Sequence, residues 1–257
     1  MKIDQVLNLY DAGYRDFSGV DLSGANLSGV TLIGVDFRYA NFMGANLSKA
    51  FLTKSNFEGA KFNWANLSCA KMSEVRLKNA DLTKANLLGA FAIKSQLNSA
   101  RLCGANLAYT NLRSADLELA NLCGANLQKV NLRQANLTGV NFNWANLYEG
   151  RLTRAQLDRS SLNEVNLSQT FLKDVDLQGA NLEGINLSKA RLMGANLSKA
   201  NLRRANLEFA LLSRANLQAA NLNKANLAGA RLAQANLKDA DLTEAILDDV
   251  NLTEAII

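Results

Sequence analysis

A chain of 257 residues with 48% hydrophobic residues and a net charge of +5 is long enough to bury a sizeable core and too apolar to be a disordered acidic or basic tail. It contains no histidine, which removes the commonest general base and the commonest metal ligand together, and its three cysteines are too few for a disulfide framework. The start, Met1-Lys2-Ile3-Asp4-Gln5-Val6, has no secretory apolar run, and no stretch approaches the ~20 apolar residues of a membrane span, so a cytoplasmic protein is expected.

Residues 1–14 form the first predicted element. Ile3, Val6, Leu7 and Tyr10 recur at i, i+3, i+4 and i+7, the spacing of one apolar helical face, and Gly13 is placed to end the helix in the left-handed region. This short amphipathic helix is expected to cap the open end of the segment that begins at residue 15.

From Phe17 to Ile257 one apolar residue recurs at every fifth position without a slip, 49 times in all. Leucine fills 40 of these places; Phe17, Phe37, Phe42, Phe57, Phe62, Phe142, Met72, Ala92 and Ile257 fill the rest. Five residues match neither the helix period nor the heptad. A small residue sits two places before the apolar one almost throughout, as in Ala25-Asn26-Leu27-Ser28-Gly29, and on an extended segment both point to the same side. A short straight piece followed by a corner, repeated, winds the chain into a parallel coil. The residue before the apolar one gives the number of units per turn. In one column spaced by twenty it is Asn at 11 of 12 places, from Asn26 to Asn226, broken only by Ile246. In another column it is Asn at 3 of 12. Four units therefore close one turn, and residues 15–257 are expected to form a single domain, an all-β solenoid. The absence of proline fits a coil-to-coil ladder that needs every backbone donor.

These residues resemble the pentapeptide-repeat family, whose pattern is A(D/N)LXX, over roughly residues 16–257. The resemblance implies a right-handed quadrilateral parallel β-helix with the inner leucines and phenylalanines stacked in columns. About twelve four-sided coils at ~4.8 Å each make a rod roughly 58 Å long. The abundance of such repeats in cyanobacteria makes a bacterial, and in particular cyanobacterial, source an expectation of the same resemblance.

Several residues stand out against the repeat. Cys103 and Cys123 lie one coil apart in matching Leu-Cys-Gly-Ala-Asn-Leu segments, ~4.8 Å between Cα atoms, where a disulfide is reachable only if the parallel side chains lean together. Two reduced surface thiols are expected there, and Cys69 has no such neighbour. Trp64 and Trp144 sit in identical Phe-Asn-Trp-Ala-Asn-Leu hexapeptides, either as exposed anchors for a partner or, the preferred reading, lying flat along the rod. At Ala92 the core leucine is missing, and Met72 one coil earlier is expected to fill the gap, with an inward turn of Phe91 and Ile93 as the alternative.

Charge is unevenly divided among the faces. The face of the asparagine-poor column carries eleven basic residues (Lys54, Lys71, Lys94, Arg113, Arg133, Arg151, Arg154, Lys173, Arg191, Arg214 and Arg231) against Glu74, Asp174 and Glu254, so its net +8 exceeds the +5 of the whole chain. Phe51, Phe91, Phe171 and Leu211 are interleaved with these charges. Phe51, Lys71, Phe91, Arg113, Arg133, Arg151, Phe171, Arg191 and Arg231 are the candidate partner-binding residues. A face whose corners simply tolerate large residues is the plainer explanation, and no protruding element is present to read a nucleic-acid groove.

At the far end, Leu242, Leu247, Leu252 and Ile257 form the last coil, and Ile246 and Ile256 replace the usual Asn or Asp. With no covering element expected after Ile257, Ile246, Leu252, Ile256 and Ile257 are the candidate interface of a homodimer, with a frayed monomer end as the alternative. No Gly-rich phosphate loop, nucleophile elbow or concave pocket is expected, so neither an enzyme nor a cofactor or metal site is predicted. The leading expectation is a non-enzymatic scaffold that presents flat side-chain ladders to a protein partner. The family also implies a second: some members protect or inhibit DNA gyrase by resembling duplex DNA in shape and negative charge, from which this chain departs in its positive charge and lack of loops. Nucleic acid or an acidic partner on the basic face is the third.

Overall fold

One five-residue unit contains the hydrogen bonding of the whole rod. In the unit 46–50, Asn46 N donates to Ala25 O of the preceding coil (2.9 Å), and Leu47 N and Lys49 N donate to Asn66 O and Ser68 O of the following coil (2.7 and 2.8 Å). Ala50 N closes the turn on Leu47 O (3.1 Å), and Ser48 N is taken by the side-chain Oδ1 of Asn46 (3.1 Å). All five N–H groups are satisfied, as a buried backbone requires. The computed structural model, which describes residues 2–257, repeats this pattern as parallel bridges between residues i and i+20, from Asp16↔Asp36 to Asn236↔Ile256. Twenty residues per coil and four corners per coil are the direct result.

The side chain that makes the fifth bond explains the asparagine columns. An Asx oxygen accepts the N–H two residues on, the local turn for which Asn and Asp are suited. Asn adds a second bond that Asp cannot make. Its Nδ2 donates to Oδ1 of the Asn one coil earlier, as at Asn46→Asn26, Asn66→Asn46, Asn86→Asn66 and Asn106→Asn86, at 3.2–3.3 Å. Asp116 and Asp176 serve as acceptors for Asn136 and Asn196 at 3.0 Å.

The corner requires the residue two places after the core position to be left-handed. Gly29 (φ 70°) fits this freely, but Lys49, Trp64 and Lys129 hold φ between 56° and 59° in the same place. The inter-coil bond made by that residue's N–H holds them there against the intrinsic cost of the region, ~1–2 kcal/mol. Gly59 has a further reason to lack a side chain: the Tyr39 ring leans over it, and a Cβ would lie 2.6 Å from Tyr39 Cδ1. Phe209 covers Gly229 in the same way.

The interior is filled as the period predicts. The small residue and the apolar residue both point inward, for example Ala45 with Leu47 and Ala65 with Leu67, all fully buried. Phe17, Phe37 and Phe57 stack at centroid distances of 5.7 and 5.4 Å, Phe42 and Phe62 stack at 4.9 Å, and the two columns meet edge to face. Met72 and Ala92 are both buried while Phe91 and Ile93 stay outside, so no local reversal occurs. Where serine or threonine takes the small position, its hydroxyl finds a carbonyl: Ser55 Oγ donates to Leu32 O (2.8 Å) and Ser95 Oγ to Met72 O (2.9 Å).

Helix α1 (Ile3–Asp11) lies on the first coil. Gln5 Oε1 accepts from Lys2 N (3.0 Å) at its start. At its end Tyr14 N bonds Leu9 O (2.9 Å) and Gly13 N bonds Tyr10 O (3.0 Å), with Gly13 at φ 92°. This is the paired bond pattern of a glycine-terminated helix. Val6 is buried, and Ile3, Leu7 and Tyr10 pack against the core at its margin. The helix occupies Ile3–Asp11 of the 1–14 cap, with Lys2 before it, residues 12–14 as its terminator, and Met1 outside the described residues. Among the described residues no helix is long and apolar enough to cross a membrane.

The ladder opens once. Ser161 and Asn181 form no bridge, and among the described residues Leu157 N, Arg159 N and Leu162 N lack the inter-coil acceptors that their counterparts have. Gln156 and Ser161 stand where Asn is usual; among the described residues Asp158 N lacks an Asx acceptor, and Asn163 N is taken by Asn143 Oδ1 of the preceding coil (3.0 Å). Ser160 Oγ is buried with no partner, and Leu157, Ser160, Asp176 and Asn181 are among the residues that border an open depression of about 710 Å³. The expectation of a chain without a concave pocket is corrected here, where the one missing bridge borders the depression.

This construction can be tested in two ways. Phe57→Ala removes a buried ring from the aromatic stack and should lower stability by about 3–5 kcal/mol, read as a reduced urea midpoint, whereas Phe91→Ala on the outside should stay within about 1 kcal/mol. The second test concerns acid. Backbone N–H bonds from Ser18 and Ser23 hold Asp16 and Asp21 below the usual carboxylate value of 3.8, and the Thr243 hydroxyl followed by its N–H does the same for Asp241. A depressed folded pKa contributes stability above the unfolded value that is lost as pH falls through the folded one. The amide signals of Ser18, Ser23 and Thr243 should therefore titrate with midpoints below 3.8, while Ser48 and Ser68, held by Asn, should not respond.

Candidate functional site

The asparagine-poor column becomes one continuous outer ladder. Parallel bridges join Phe51, Lys71 and Phe91, then Asn131, Arg151, Phe171, Arg191, Leu211 and Arg231 in order. Arg113 and Arg133 project from the adjoining turns, where Arg133 Nε donates to Asn131 Oδ1 (3.2 Å). All nine candidate partner-binding residues thus share one side of the rod, and Arg113, Arg133, Arg151, Arg191 and Arg231 are exposed.

The aromatics between the charges are engaged with them. Lys71 Nζ lies 3.6 Å from the Phe91 ring centroid, and the Arg191 and Arg151 guanidinium carbons lie 4.5 and 5.8 Å from that of Phe171. The ring faces attract the cations and hold them along the surface. One ion pair with an acid of the face is found among the described residues, Arg154 with Asp174 at 3.8 Å, so most of this charge is uncompensated.

A feature that the composition did not reveal accompanies the charge. Where Asn is replaced by Phe, Lys, Arg or Leu, the turn N–H two residues on loses its Asx acceptor. Among the described residues Thr53, Ser73 and Ile93, and then Thr153, Lys173, Met193, Ser213 and Ala233, lack that Asx bond; of these Ile93 follows Phe91, and the last five follow Arg151, Phe171, Arg191, Leu211 and Arg231. The signal was available in the sequence as the missing asparagines. Its meaning required the bond that asparagine makes elsewhere. A shallow trough of about 630 Å³ runs along the last part of this row, between Lys173, Met193, Ser213, Arg214 and Ala233.

The other singled-out residues separate into distinct places. Trp64 and Trp144 are 59% and 61% exposed at left-handed corners, the position from which the 67% exposed Tyr39 leans over Gly59. Cys103 and Cys123 are free and half-buried rather than on the surface, and they do lean together, with Sγ atoms 2.7 Å apart. Burial, then the neighbouring Cys123, pushes the Cys103 thiol up to about 11, so it is protonated at neutral pH. Cys69 is exposed and unpaired. Among the described residues no cluster of three or more His, Cys, Asp or Glu could hold a metal.

At the C-terminal end the last coil is bare. Ile246, Leu247, Ile256 and Ile257 are exposed, Ile257 by 76%, and Leu252 is half-buried. Leu242 N, Leu247 N and Leu252 N, which on inner coils would bond the next coil, have no acceptor among the described residues.

The family model for pentapeptide repeats (8 copies) matches in overlapping segments from 16–53 through 220–257. Among solved structures, the chain is similar to HetL, a pentapeptide repeat protein involved in heterocyst differentiation regulation from the cyanobacterium Nostoc sp. strain PCC 7120. The identity is 36% over 100% of this chain and 97% of that one, with a TM-score of 0.37. It is also similar to QnrB1, a plasmid-mediated fluoroquinolone resistance protein, at 18% identity over 90% of this chain and 92% of that one, with a TM-score of 0.38. Rfr23, from the cyanobacterium Cyanothece 51142, matches at 23% identity over 65% of this chain and 97% of that one, with a TM-score of 0.22. No curated protein matches the chain.

Proposed function

Because the chain belongs to the pentapeptide-repeat family, whose fold is a right-handed quadrilateral β-helix, we propose that it acts without catalysis, as a rigid rod that captures a protein partner on its basic face. The observation that carries this reading is the uncompensated ladder from Lys71 to Arg231, net +8 on one side of a chain of net +5. Like charges fixed along one side of a rod create a potential that draws an acidic surface and orients it along the axis. The interleaved Phe51, Phe91, Phe171 and Leu211 supply apolar contact between the charges. The gyrase-directed reading rests on a negative, DNA-like surface, and this face has the opposite sign. Specific nucleic-acid reading has no protruding helix or strand to enter a groove.

The bare last coil supports a second contact, between two copies of this chain. Ile246, Leu252, Ile256 and Ile257 present an apolar end rimmed by unpaired N–H groups, and the same end of a second copy covers it with a self-complementary patch. Such an end-to-end dimer leaves the basic faces of both rods open.

The two contacts are tested separately. Reversing Arg151, Arg191 and Arg231 to glutamate should leave the fold intact and abolish capture of an acidic partner at low salt; capture that survives the reversal overturns the face as the working surface. Sedimentation at micromolar concentration should show a dimer that dissociates when Ile246→Asp is combined with Ile256→Asp. A monomer for the unaltered chain, or a dimer indifferent to both substitutions, removes the end-to-end contact.

A further inference from the structure

The turn N–H groups along the basic face form a row of vacant positions whose usual occupant is known from the rest of the rod. On the other faces the position is filled at most places by an oxygen two residues earlier, an amide oxygen at Asn46 or a carboxylate oxygen at Asp16, Asp21 and Asp241, at 2.9–3.1 Å from the N–H, and it is left open at one or two coils at a time where Lys61, Arg76, Gln96 or Arg101 replaces asparagine. The position also accepts an oxygen brought from outside the coil. At the start of the basic column, where Thr31 replaces asparagine, Ile33 N donates to the phenolic oxygen of Tyr10 on helix α1 (3.2 Å). A side chain from a separate element therefore docks into the first vacancy.

Further along, five successive coils are vacant, at Thr153, Lys173, Met193, Ser213 and Ala233. They span ~19 Å along the axis, since neighbouring coils are ~4.8 Å apart. This run coincides with Arg151, Arg154, Lys173, Arg191, Arg214 and Arg231 and with the trough between Lys173 and Ala233. Backbone N–H groups in a row beside fixed cations favour oxyanions, because a charged acceptor strengthens each bond while the cations offset its charge.

We propose that this row is a docking site for an extended acidic segment of a partner protein, whose Asp and Glu carboxylates enter the vacant turn positions and replace the missing asparagine oxygens. The inference rests on the basic face being the working surface and adds to it the mode of recognition. A polypeptide is favoured over a nucleic-acid strand on two grounds. Carboxylates already occupy the same position elsewhere in this chain. Phe171, Met193 and Leu211 between the cations also match a segment that mixes carboxylates with apolar side chains.

The experiment turns on a substitution that fills the vacancies without changing charge. Phe171→Asn with Leu211→Asn places an Asx oxygen two residues before Lys173 and Ser213, as the other faces do. Phe171→Ala with Leu211→Ala removes the same apolar groups and leaves the positions open. The probe is a synthetic peptide alternating Glu and Leu, titrated into the full chain, with affinity read by fluorescence anisotropy and amide signals by NMR. The amide protons of Thr153, Lys173, Met193, Ser213 and Ala233 should shift on binding. The asparagine pair should weaken affinity about tenfold or more relative to the alanine pair, the loss expected for charge-assisted bonds. Equal affinity for the two pairs, or no shift at these amides, overturns docking through the turn positions. If binding is then still lost on reversal of Arg151, Arg191 and Arg231, the basic face itself stands; if it survives that reversal, the face fails as well. An oligodeoxynucleotide that outcompetes the peptide, or inorganic phosphate that gives the same shifts and displaces it at equal concentration, replaces the acidic segment as ligand and overturns the proposal. So does failure of the peptide to bind at millimolar concentration.

Discussion

Every feature of this rod depends on satisfying the five backbone N–H groups of each unit within a chain that never leaves its register. Three go to neighbouring coils and one closes the corner. The remaining one points outward from the turn, and only a side chain can reach it. An oxygen on the residue before the core position is the local solution, so asparagine and aspartate fill most of those places. Asparagine exceeds aspartate because its amide also donates to the coil before it. The corner imposes a left-handed residue every fifth position, and the inter-coil bond of that same residue holds lysine, tryptophan or glutamate there against its preference.

That division leaves the outside of the rod chemically free. Once the core and the four backbone bonds of each unit are in place, the residues beyond the core positions tolerate almost any side chain at little cost to the fold. Function on such a scaffold is a pattern along a column rather than a pocket. The basic face illustrates the exchange: giving up the Asx bond admits cations and aromatics, which interact with one another from rung to rung, and it releases a row of donors. Asparagine is also missing at Gln156 and Ser161, on two further faces, with a different result. There the coils part and a hydroxyl is left buried without a partner. Along the basic face the inter-coil bonds beside Phe51, Lys71 and Arg191 persist. The difference lies in the neighbouring coil bonds, not in the missing asparagine alone.

The two ends meet the problem of exposed rungs in different ways. Helix α1 brings Val6 over the first coil and places Tyr10 on its turn, so apolar surface and a free donor are covered together. The coil that ends at Ile257 has isoleucine at two asparagine places, and Leu242 N, Leu247 N and Leu252 N have no acceptor among the described residues. Both are consequences of a one-dimensional fold, in which each coil is stabilised by its neighbours and an end coil has only one.

The sequence alone determined the coil length, the inward residues and the aromatic stacks, because a strict period leaves a single way to bury 49 recurring apolar positions. It also located the uneven charge, since columns spaced by twenty are spatial faces once the coil length is known. It read the helix from its apolar spacing and its terminator from Gly13. Tertiary structure was needed wherever a side chain's direction mattered. Tyr39 and Phe209 lie over Gly59 and Gly229 because the left-handed corner directs their rings along the rod, and Cys103 and Cys123 meet because their side chains lean across one rung. The vacant donors of the basic face could be counted as missing asparagines, but only the three-dimensional bond pattern gave each absence its meaning. The parted coils at Ser161 and Asn181 left only a weak signal, Gln156 and Ser161 in place of asparagine, because a core period that continues unbroken does not report whether the rungs around it close.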